Sequence, residues 1–145
     1  MNKDLITSLI YEKDLEETKE YLLNCEDAED LHLYAYNYNW SNGFDIPKVI
    51  INNQNCSMST ALLIFYAADG LRYLTEKPTD TGLKEWQVFI SDLYSKIISK
   101  SFENRNIAFA IPLTKIQSFK LKKALSEQET IFVKEYDGVK CDIDL

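Results

Sequence analysis

Four carboxylates fall within one short stretch, at Glu26, Asp27, Glu29 and Asp30, the densest acidic cluster of the chain. Such a set has the chemistry to hold a hard cation such as Mg²⁺, or to divide into a general acid and a general base. The same residues also suit the first turn of a helix, where free N–H groups and the helix dipole favour anions. As a third reading, they form an acidic patch for a protein partner. The spacing alone leaves the three open, and the helix start asks for the least.

Other reactive side chains are sparse. His32 is the one histidine, so neither a two-histidine zinc site nor an HExxH helix can be assembled. A Ser-His-Asp triad through His32 lacks a G-x-S-x-G elbow, and the ring is expected at the surface or half-buried. Cys25, Cys56 and Cys141 are far apart and odd in number, which gives no disulfide framework and no metal knuckle. Residues 37–48 miss a calcium loop: the glycine, Gly43, falls one place late and Lys48 occupies the place of the terminal glutamate. With no G-x-G-x-x-G or Walker loop either, the expectation is a chain without metal, cofactor or catalytic site.

Composition bounds the scaffold that positions these groups. The 145 residues are 46% hydrophobic and 12% aromatic, enough for one core, whereas Gly (4) and Pro (3) are scarce. Few turns mean long helices, so we expect a mainly α, single compact multi-helix domain spanning residues 1–145. The N-terminal stretch has acids among its apolar positions and no leader pattern, and the apolar run 61–68 is too short for a bilayer. A cytoplasmic location without membrane contact is the expectation.

Charge is distributed unevenly under the net −7. Residues 1–45 hold 11 acids and 3 bases, whereas residues 81–125 hold 3 acids and 8 bases. An acidic surface repels phosphate backbones and steers basic proteins. Lys120, Lys122 and Lys123 fall at a predicted helix end, where cations complement the dipole, and no aromatics interleave them. Nucleic acid is therefore not expected as a direct ligand.

Periodicity places the elements. A short helix is expected around Leu5, Ile6 and Leu9, and Asp14 with Glu17 has capping-box spacing for a second running to Leu23. Asp27 caps a third, whose Leu31, Tyr34, Ala35 and Tyr38 recur at helical spacing while Leu33, Tyr36 and Trp40 line the other side. Such a helix is central to the core or offers its second face to something else, with Tyr36 and Trp40 as candidate anchors. Asp45 is expected to cap a short helix, Ser57 or Ser59 a further one, stopped at Asp69-Gly70, and residues 78–82 to form a loop. Trp86, Phe89, Ile90, Leu93 and Ile97 mark the strongest helix, and Pro112 opens the last, with Leu113 and Ile116 inward. Alternating Ile131, Val133, Val139 and Ile143 around Asp137-Gly138 predict a small C-terminal β-hairpin.

The run Tyr38-Asn39-Trp40-x-x-Gly43-Phe44-x-Ile46-Pro47 is followed by Cys56-x-x-x-Thr60-Ala61-Leu62 and Phe65-x-x-Ala68-Asp69-Gly70. With Glu85-Trp86 and Leu121-Lys122-Lys123, this pattern resembles a bacterial family of domains of unknown function over residues 30–125. The resemblance assigns no residue a role. What it implies is context: small bacterial proteins of this kind are often encoded among polymorphic toxin systems as immunity proteins. The leading expectation is thus an acidic immunity-type protein that binds a basic toxin domain such as a nuclease, using Glu26, Asp27, Glu29, Asp30, Tyr36 and Trp40. A housekeeping interaction module and a carboxylate-based enzyme are the alternatives.

Overall fold

Helix starts in the computed structural model, which describes residues 1–77 and 83–145, fall where short oxygen-bearing side chains precede apolar runs. Asn2 caps α1 (Lys3–Tyr11), Asp14 caps α2 (Leu15–Asn24) and Asp27 caps α3 (Ala28–Tyr36), each accepting from backbone N–H groups of the first turn. α4 (Asp45–Asn52) departs from expectation: Asp45 is its first residue and Phe44 precedes it without a side-chain cap. The Asp45 carboxylate lies instead 3.7 Å from the Lys19 ammonium on α2. Ser57 caps α5 (Met58–Ala67), accepting from Thr60 N–H at 3.0 Å.

α6 (Gly70–Glu76) follows α5 after two residues, Ala68 and the left-handed Asp69 at φ 65°. Gly70 is required there, because a Cβ would overlap the Phe65 ring. α7 (Lys84–Ile98) buries Trp86, Phe89, Ile90, Leu93 and Ile97, the stripe that its periodicity predicts. The loop expected at 78–82 lies outside the described residues. α8 (Lys115–Ala124) opens at Thr114, not at Pro112. A reciprocal capping box with Gln117 satisfies two N–H groups there, and Pro112 stays outside. Ile116, expected inward, is 69% exposed, and α8 buries Leu121.

α5 is the centre of the packing. It contacts α3, α6 and α7, while α1 packs on α3, α2 on α4, and α8 on a C-terminal 3₁₀ helix, Gln128–Val133. Met58, Ala61, Leu62, Ile64 and Phe65 of α5 are buried together with Ser59 and Thr60, so this helix is buried over most of its surface, with Leu63, Tyr66 and Ala67 on its more open side. Its hydroxyls are satisfied: Ser59 Oγ donates to the Ile107 carbonyl at 2.6 Å. The result is a mainly α, multi-helix domain around one hydrophobic cluster. No helix among the described residues is long and apolar enough to cross a membrane.

The C-terminal hairpin does not form. Residues Gln128–Val133 are 3₁₀-helical, which inserts Phe132 between the rings of Phe65 and Tyr94, at centroid distances of 4.7 and 5.3 Å. Tyr136 and Val139 then pair with Phe109 and Ile107 through isolated bridges instead of with each other. The alternation thus reflects a chain that takes its backbone partners from residues 106–109, with Val139 N–H donating to Asn106 O at 2.8 Å. Gly138 has φ 148°, and a Cβ there would overlap the Asn106 carbonyl.

Candidate functional site

The acidic cluster is largely committed to the fold. Asp27 Oδ1 accepts from Glu29 N–H at 2.9 Å and Asp30 N–H at 3.3 Å, and its Oδ2 lies 3.7 Å from the Met1 amino group. Asp30 is only 4% exposed and accepts from Asn2 N–H at 2.6 Å. Glu29 Oε1 is 3.9 Å from the Cys141 sulfur. These three carboxylates therefore dock the N-terminus and the C-terminal stretch onto the start of α3, while Glu26 remains exposed. Among the described residues no group of three or more His, Cys, Asp or Glu side chains is placed to hold a metal ion.

Tyr36 and Trp40 lie elsewhere. Tyr36 is exposed at the far end of α3, about 12 Å along the helix from its start. α3 ends at Tyr36, so Trp40 leaves the helix and starts a 3₁₀ turn, Trp40–Asn42. Its ring is half-buried against Tyr38, Phe44 and Phe89, with centroids 5.2, 6.3 and 6.4 Å away. The six candidate residues thus do not form one patch: Glu26 and Tyr36 are exposed at opposite ends of α3, and Trp40 helps to close the core.

α2 presents a more coherent acidic surface. Glu17, Glu20, Tyr21, Asn24, Cys25 and Glu26 line a shallow cavity of about 610 Å³. A second depression beside it shares Glu17 and Glu20 and adds Asp14, Glu16 and Leu23. The nearby cations are engaged: Lys19 lies 3.4 Å from Glu16, and Lys13 lies 3.9 Å from Glu17. Glu20 and Glu26 have no ion pair among the described residues. Leu23 is 64% exposed in this field, with Leu15 and Tyr11 exposed at the α1–α2 turn. Burial pushes the Tyr21 phenol and the Cys25 thiol up, so both stay neutral in the cavity wall. The signal in the sequence was Leu23 itself, which falls off the inward stripe of Thr18 and Leu22.

His32 is buried, contrary to expectation. It is 2% exposed, and its Nδ1 is 2.9 Å from Thr60 Oγ1, which in turn is 2.9 Å from Ser57 Oγ. Burial lowers its pKa to about 4, against a smaller opposing pull from Asp142. The Ser57 and Thr60 hydroxyls belong to fully buried residues, so this imidazole–hydroxyl chain ties α3 to α5. The three cysteines are buried and free, and burial raises each thiol, Cys141 to about 11.

A family model described as a domain of unknown function (DUF4274) matches residues 26–98, half of the chain. The matched segment runs from just before α3 to the end of α7, so α1, α2, α8 and the 121–123 motif lie outside it. No curated protein and no solved structure matches.

Proposed function

We propose that this chain, which belongs to the DUF4274 family of domains of unknown function, is a protein-binding inhibitor of the immunity type that neutralises a bacterial toxin by direct contact. The observation that supports this reading is the acidic, apolar-studded face of α2. Glu20 and Glu26 stand there without ion-pair partners among the described residues, beside exposed Leu23.

Unneutralised carboxylates attract a basic partner from a distance and speed its encounter. Exposed Leu23 and half-buried Tyr21 beside them supply area that is worth burying once the partner has arrived. The partner that fits is a protein with a basic surface, such as a nuclease domain, whose own substrate-binding cations would be covered. The face proposed here includes Glu26 of the acidic cluster, whereas Asp27, Glu29, Asp30, Tyr36 and Trp40 lie outside it.

Affinity capture from the native host, at low and at high salt with mass spectrometry of the retained proteins, tests the reading. One stoichiometric partner with a toxin-like domain, released by salt, is the expected result. Retention of an endogenous metabolic or regulatory protein instead would favour a housekeeping interaction module. Retention that is specific but indifferent to salt would remove the acidic face from the mechanism.

A further inference from the structure

Beside the C-terminal end of α7 lies a groove of about 750 Å³, within the size range of small-molecule sites. Met58 and Phe102 are buried in its floor, and Ile131 and Tyr136 are half-buried in it. The rim carries two exposed lysines, Lys100 and Lys134, against one carboxylate, Glu127. In a chain of net charge −7, this is a local excess of positive charge over an apolar surface.

Neither lysine has an ion pair among the described residues. The Lys134 ammonium lies 5.3 Å from the Tyr136 ring centroid, at the distance of a cation–π contact. Lys100 closes α7 in a left-handed conformation at φ 58°, with its N–H on Ile97 O and the next N–H on Lys96 O, each at 3.0 Å. Glycine is the usual residue at this place in the motif, so a lysine here sets an ammonium at the groove in a backbone geometry that disfavours side chains.

We propose that the groove binds a small amphiphilic anion: an apolar body on the Met58, Phe102, Ile131 and Tyr136 floor, with a carboxylate paired to the Lys100 and Lys134 ammonium groups. The apolar floor gives affinity in proportion to the area removed from water. The two lysines set the sign of the head group, because a cationic head would meet them unpaired. This site is separate from the α2 face and does not depend on the inhibitor reading.

The test is a ¹H–¹⁵N NMR titration of the full chain with decanoate, and in parallel with decyltrimethylammonium, which has the same chain length and the opposite charge. Decanoate is expected to shift amides of residues 98–104 and 127–136 and to saturate at one site, whereas the cation gives no saturable shifts there. The K100Q/K134Q double variant alters two exposed side chains and should melt like the parent. Its decanoate affinity should fall about tenfold, as expected for losing two partly screened charge pairs. Equal binding of both amphiphiles, an unchanged affinity in the double variant, or decanoate shifts centred elsewhere would each overturn the proposal.

Discussion

Lowering the pH from 7 to 5 should remove about 2 kcal/mol of folding stability through one side chain, His32. The imidazole has a pKa of about 4 in the fold, against 6.5 for the free group. Between those values the unfolded chain takes up a proton that the folded chain refuses, because burial of the ring in the α3–α5 contact outweighs the smaller favourable pull of Asp142 on the charged form. Stability is therefore fully present above 6.5 and declines as the pH falls towards the folded pKa. Integrating the linkage relation gives about 2 kcal/mol lost by pH 5 and about 3 by pH 4.

His32 is the chain's one histidine, which makes the assay clean. Urea denaturation of the parent and of H32Q at several values between pH 7 and 5 gives two stability curves. Carboxylate titration and the loss of net negative charge act on both curves alike, so their difference isolates the imidazole. H32Q should start less stable at pH 7, having exchanged one ring for a weaker fit to Thr60, and should then change much less with pH. Parallel curves, or an imidazole NMR titration with its midpoint near 6.5, would refute the burial argument.

Three further outcomes are expected. Gly70→Ala should destabilise by about 2 kcal/mol or more, because the new Cβ meets the Phe65 ring and the Phe65 carbonyl at the α5–α6 junction, and a thermal melt reads it. Phe132→Ala should cost about 3–5 kcal/mol in urea, since it removes a fully buried ring stacked on Tyr94 and tilted against Phe65; a loss under 1 kcal/mol would mean that the C-terminal 3₁₀ helix contributes little to the core. Reversing Glu20 and Glu26 to lysine should slow association with a captured basic partner about tenfold at low salt and far less at high salt. The melting temperature should hardly move, because both side chains are exposed and outside any ion pair among the described residues.

Local signals in the sequence carried the helices well. Asp14 and Asp27 cap the helices that their positions predict, Ser57 and not Ser59 is the cap of α5, and the α7 stripe is buried in full. These features depend on neighbours within a few residues, which a sequence displays directly. Failures occur where a distant partner decides. The 130–143 alternation reads as a hairpin only if its two arms pair with each other; Phe109 and Ile107 compete for the same backbone groups and win. His32 is expected at the surface or half-buried from the sequence, because nothing local says that Thr60, in another helix, completes its hydrogen bond.

The candidate site was legible in sign but not in place. Charge counting located the acidic region within residues 1–45. It did not separate Asp30, which is buried and accepts from Asn2 N–H, from Glu20 and Glu26, which face solvent. That distinction is a matter of which side of a helix meets its neighbours, and for α2 the relevant neighbour is α4.

The buried hydroxyls of α5 have a consequence for how uniquely the chain folds. Burial of apolar surface has no direction, and a helix whose more open side is also apolar, with Leu63 and Ala67, could gain nearly as much after rotating about its own axis. Ser57, Ser59 and Thr60 remove that degeneracy: Ser59 must meet the Ile107 carbonyl, and Thr60 must meet His32 and Ser57. A rotated α5 would leave these hydroxyls and their partners unpaired in the interior, each costing about 1–3 kcal/mol. The three small polar residues thus act as an angular key, selecting one orientation of the central helix from several that the hydrophobic effect alone would accept.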